Sequence, residues 1–168
     1  MQMYILFFIQ KSNLCFFFLL FPFIYNLTHL PLFAQDDNIV PNPSFDITKG
    51  KVKTPGQIEI SQGWQSATPA QADLFCKTSK APEYLVPLNN FGTEDTYDGE
   101  CYAGIVMEGY RGAPACTYLQ SELKTPLETG KSYCIKFHIS LADLSKYACN
   151  NIGLFVSQAP VTQVEISR

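Results

Sequence analysis

An all-β sandwich is the fold the sequence predicts, on three observations. From Tyr133 to Leu141 apolar and polar residues alternate at period two. Tyr133, Ile135, Phe137, Ile139 and Leu141 fall on one face, and Cys134, Lys136, His138 and Ser140 on the other. Other short apolar segments recur between clusters of Gly, Pro and Asn, the spacing of strands and their turns. No repeat, charge run or low-complexity tract interrupts that pattern.

The first segment stands apart from this fold. Residues 1–34 hold 8 of the 13 Phe and a single charge, Lys11. Leu14 to Ile24 is an unbroken apolar run. It suits the core of an export signal and is shorter than the roughly 18–20 residues a membrane-spanning helix needs. Ala34, before Gln35-Asp36-Asp37, supplies the small residue of a cleavage site. The alternative is an uncleaved anchor, but Gln10 to Asn13 and Pro22 break the pattern that an anchor requires. The expected organisation is therefore a signal helix over 1–34 and one β-sandwich domain over 35–168, with no membrane span after cleavage.

Within that domain Ile58 to Ile60 reads as a short strand leading into Gly63-Trp64. Lys77 to Glu100, with Pro82, Pro87, Gly92 and Gly99, reads as a long loop, and loops of this length in compact domains are commonly functional. Cys101–Met107, Thr117–Leu123 and Ile152–Val156 are further strand candidates. The connector with Pro126 and Gly130 makes Thr117–Leu123 an antiparallel partner for Tyr133–Leu141. One stretch breaks the β pattern. Ser140-Leu-Ala-Asp143 has the form of a capping box, and Leu144, Tyr147 and Ala148 follow at helical spacing, which predicts one or two helical turns ending near Asn150-Asn151.

Composition excludes some functions. The net charge is −3, so nucleic acid is not an expected partner. Cys15 leaves with the signal; Cys76, Cys101, Cys116, Cys134 and Cys149 remain, an odd number, so at least one is unpaired. Export permits disulfides. Cys116 and Cys134 flank the expected hairpin and could face each other, and small buried thiols are an equally good reading. No CxxC or other zinc spacing occurs.

Catalytic groups are sparse. His138 is the one histidine after residue 34, and it lies on a strand, where a groove or surface role is the simpler reading. No GxSxG, HExxH or phosphate-binding Gly loop is present. Glu94, Asp95, Asp98 and Glu100 cluster in the long loop. Paired acids can hydrolyse a glycoside or bind calcium, but a solvated acidic loop explains them as well. Trp64 could stack on the apolar face of a sugar, although a lone Trp in a sandwich is more often core. Tyr84, Tyr97, Tyr102 and Tyr110, in or beside loops, offer ring and hydroxyl together and are the other candidates for a ligand-binding surface.

These residues also carry a resemblance. Asn38-Ile-Val-Pro-Asn-Pro-Ser-Phe-Asp46, followed by Gly63-Trp64, resembles the opening of galactose-binding-like jelly rolls in exported proteins. Ala72-Asp-Leu-Phe75, Val86-Pro-Leu-Asn89, Gly92, Glu94, Gly99, Tyr102-Ala-Gly104 and Tyr118-Leu-Gln120 are similar to the amino-terminal domain of Gram-negative OmpA-family envelope proteins. So is the run from Gly130-Lys-Ser-Tyr133 through Ser140-Leu-Ala-Asp143 to Asn150-Asn-Ile-Gly153. The similarity covers about residues 38–157. It implies a jelly-roll β-sandwich, exported to the periplasm, outer membrane or cell surface. It also implies that the last strands, and the OmpA-like module through which such proteins hold peptidoglycan, are missing here. Related carbohydrate-binding jelly rolls often hold a structural calcium, with an acid at the place of Asp46 as a ligand; no other cofactor is implied.

The expected function is then a non-catalytic binding module of the cell envelope, its ligand a glycan or an envelope protein. The alternatives are a structural spacer with no ligand, in which Trp64 and the tyrosines are only core and rim, and a hydrolase using the acids between Glu94 and Glu100.

Overall fold

The computed structural model describes residues 4–8, 38–107, 116–149 and 152–161. Among them the protein is mostly strands in small antiparallel sheets, with two short 3-10 turns, as the β expectation requires. Eight strands are defined: β1 (Tyr4–Phe8), β2 (Trp64–Ser66), β3 (Asp73–Cys76), β4 (Leu88–Asn89), β5 (Gly92–Thr93), β6 (Cys101–Gly104), β7 (Leu119–Glu122) and β8 (Gly153–Ser157). The largest sheet has the order β2-β7-β1-β8, every neighbouring pair antiparallel. β3 pairs with β6, and β4 with β5. Among the described residues no helix is long and apolar enough to cross a membrane.

Three expected strands form where the sequence places them, as β6, β7 and β8. Ile58–Ile60 does not: it is a 3-10 turn, because the amides of Ile60 and Ser61 turn back to the carbonyls of Gln57 and Ile58. Tyr133–Leu141 is the largest departure. It forms no strand, and its five apolar side chains are 40–59% exposed. The reason is occupancy. β7 has two ladder edges, and β2 and β1 take both, so the hairpin expected between Thr117–Leu123 and Tyr133–Leu141 has no edge to form on. β1 belongs to the segment expected to be a signal helix; the remainder of that segment lies outside the described residues.

The expected helical turns after Ser140 are also missing from residues 140–149, which contain one turn closed by the Ser145 amide on the Ala142 carbonyl. The two capping groups are spent elsewhere. The Ser140 hydroxyl donates to Glu94, and the Asp143 carboxylate accepts the Thr93 amide at 2.8 Å. A side chain committed across the fold cannot cap its own backbone.

The core is built from Val52, Ile58, Trp64, Ala72, Leu74, Phe75, Cys76, Ala81, Tyr84, Val86, Cys101 and Leu119. Leu74 and Phe75 sit side by side on β3. Phe75 stacks on its cross-strand partner Tyr102, ring centroids 5.0 Å apart, and also meets Tyr84 and Phe91.

The motif from Asn42 to Trp64 is a polar and aromatic staple into that core. Asn42 is buried at φ +45, a conformation Asn tolerates better than most residues. Its side-chain amide donates to the Ile47 carbonyl, the Ser61 hydroxyl and the Gln62 carbonyl, and its side-chain oxygen accepts the Ile47 amide. The Trp64 indole N–H donates to the Asn42 carbonyl at 2.8 Å, and the Phe45 ring lies 4.7 Å from the indole. Gly63 allows the approach. At φ +84, a Cβ there would sit 3.1 Å from the Pro41 ring. Replacing Asn42 with Ala removes four side-chain hydrogen bonds, one buried and three part-buried, and is expected to cost about 2–3 kcal/mol. The drop in urea midpoint measures it.

Candidate functional site

Residues 77–100 are closed at their root by a disulfide between Cys76 and Cys101, facing residues at the ends of β3 and β6, with Cα atoms 4.2 Å apart. Asp46 pins the same root: one carboxylate oxygen accepts the amides of Glu100 and Cys101 at 2.7 and 2.9 Å. Gly99 makes this possible. Its φ is +67, and a Cβ there would meet the other Asp46 carboxylate oxygen at 1.7 Å. No other residue type fits that approach. Within the loop, a 3-10 turn at Pro82–Tyr84 and the β4–β5 hairpin pack on Phe75 and Tyr102, and Asn89 donates to the Tyr102 hydroxyl at 2.8 Å.

This frame divides the sequence-predicted residues. Trp64 is 7% exposed and Tyr84 is buried; Phe45 packs on the indole and Phe75 on the phenol ring. Tyr102 is half-buried under the loop; burial chiefly pushes its phenol above the ordinary range, against the hydrogen bond from Asn89. Among the described candidates Tyr97 stands out, 76% exposed on the arm of the loop that leads into Gly99. Tyr110 lies outside the described residues. Asp46 is engaged with backbone amides, as described. Among the described residues no group of three or more His, Cys, Asp or Glu is placed to hold a metal ion.

Around Tyr97 the loop presents a mixed aromatic and acidic surface. Asp95, Asp98 and Glu100, close to it in sequence, are exposed, and so are Leu88 and Phe91 elsewhere on the loop. An open groove of about 600 Å³ runs along Pro82, Glu83 and residues 85–90. His138 stacks on one face of Tyr97, centroids 3.4 Å apart and planes 14° from parallel. Ser140 donates to Glu94. Elsewhere, burial raises the Asp73 carboxyl above its ordinary range while the Gly56 amide pulls it back; Asp73 thereby ties β3 to residue 56 and is no part of the loop surface.

Sequence reasoning missed the Cys76–Cys101 pair and the exposure of Phe91. The signal for the first was available: these two cysteines bracket the long loop. Cys116 and Cys134 do not face each other. The Cys116 thiol donates to the Met107 carbonyl, and Cys134 is exposed.

Comparison of the chain with protein-family models, curated proteins and solved structures finds no match.

Proposed function

We propose that this is an exported, non-catalytic binding module of the bacterial envelope, of galactose-binding-like jelly-roll type, whose ligand is a glycan held at Tyr97 on the 77–100 loop. One observation carries the reading. An aromatic ring, Tyr97, is 76% exposed between the exposed carboxylates of Asp95 and Asp98 in sequence, on a loop fixed at its root by a disulfide and by Asp46. A fixed loop loses little entropy on binding. Exposed aromatic rings take the apolar faces of sugars, and neighbouring acids accept sugar hydroxyls. The disulfide also supports an oxidising compartment and hence export.

A glycan array probed with the exported protein tests this. Binding to at least one envelope or dietary polysaccharide is expected, and it should weaken about fivefold to tenfold in Tyr97→Ala. A blank array favours the spacer reading, which draws on the burial of Trp64 and Tyr84.

A further inference from the structure

The slot between β7 and β8 carries an inference about how the Tyr97 surface is controlled. β7 and β8 run in the same direction, each antiparallel to the β1 strand between them. β1 comes from the far amino-terminal end of the chain. In sequence, however, the segment between β7 and β8 is Tyr133–Leu141, preceded by a connector at 123–132 and followed by one at 142–152. A chain leaving β7, reversing through Tyr133–Leu141 and reversing again into β8 is a simple antiparallel meander. It gives both outer strands the direction they have here.

Tyr133–Leu141 is also built as a strand. Its period-two alternation would put five apolar side chains on the face shared by Trp64, Leu119 and Ser121, and polar ones on the other. Yet it lies outside every sheet with those apolar residues largely exposed, while His138 stacks on Tyr97 and Ser140 binds Glu94. Two segments thus compete for one slot, and the loser rests on the candidate binding loop.

The geometry points to a strand exchange: Tyr4–Phe8 holds the slot in the unprocessed chain, and Tyr133–Leu141 replaces it once that strand leaves. The exchange withdraws His138 and Ser140 from the loop and bares the covered face of Tyr97. In the unprocessed chain one face of Tyr97 is therefore taken by His138, and in the processed one both faces are open to ligand. The link to processing and binding rests on the proposed export and Tyr97 site; the competition between strands does not.

Hydrogen exchange on the full chain tests the competition without any ligand. Proline cannot donate to a ladder and is not tolerated in a central strand, so Leu6→Pro evicts β1. In the parent chain, amides of β7 and β8 should exchange slowly and those of 133–141 fast. In Leu6→Pro, amides of 133–141 should slow by at least about tenfold while β7 and β8 stay protected. Adding Lys136→Pro, which keeps every apolar side chain, should abolish the protection of 133–141 and of the β7 and β8 amides that face the slot, while β7 amides facing β2 stay protected.

Three results overturn the proposal. In the first, 133–141 still exchanges fast in Leu6→Pro, whether or not β7 and β8 remain protected. In the second, the double variant matches Leu6→Pro. In the third, protection is lost everywhere, β3 and β6 included, which shows that no segment replaced β1. A failed glycan array would leave these amide patterns unchanged, so the two readings fail separately.

Discussion

Replacing Cys76 and Cys101 together with Ser is expected to lower stability by about 3 kcal/mol. The bond joins positions 25 apart in sequence, and closing a loop of that size removes about that much conformational freedom from the unfolded chain. Asp46 cannot compensate, because its two amide partners, Glu100 and Cys101, lie on the strand end that the bond tethers. The urea midpoint should fall by about 1–2 M with the slope nearly unchanged, and dithiothreitol should reproduce the shift in the parent protein. Equal midpoints with and without reductant would mean that the loop is closed by packing alone. The second readout is local: amides around Glu100 and Cys101 should exchange faster in the double serine variant even where the global fold persists.

Leu74→Ala should cost about as much, or more, by a different route. Leu74 has no exposed surface and sits among the core residues of β3, next to Phe75. Truncation removes apolar contact and leaves a cavity that the surrounding strands can only partly close, which places the loss at about 3–4 kcal/mol. The melting temperature should drop by about 10–15 °C. Phe75 fans out to Tyr84, Phe91 and Tyr102, so relaxation around position 74 should also loosen the loop. A loss below about 1 kcal/mol would show that the β3–β6 layer is not the core.

The sequence exposes some of this and conceals the rest for physical reasons. β6, β7 and β8 were legible because short apolar segments between turn residues have few other uses. Ile58–Ile60 was not, since three residues cannot distinguish a strand from a 3-10 turn when the decision lies in the Gln57 and Ile58 carbonyls. Tyr133–Leu141 shows the limit of periodicity. Alternation fixes which face is apolar, but a strand also needs a free ladder edge, and Tyr4–Phe8 holds the edge it needs. The motif from Asn42 to Asp46 was visible as a motif, but its role was not. That role depends on contacts with Ser61, Trp64, Glu100 and Cys101, which no local pattern announces. Among the candidate aromatics, residue type alone could not tell buried Tyr84 from exposed Tyr97, because a phenol suits both environments.

The central claim is that the protein binds through a ring presented by the pinned loop. Its most direct measurement is titration of the tightest array polysaccharide into the parent protein and Tyr97→Ala by calorimetry, with melting curves of both. The account predicts the same melting temperature for the two, since Tyr97 is 76% exposed, and an affinity about fivefold to tenfold weaker for the variant. Unchanged affinity in Tyr97→Ala would contradict it.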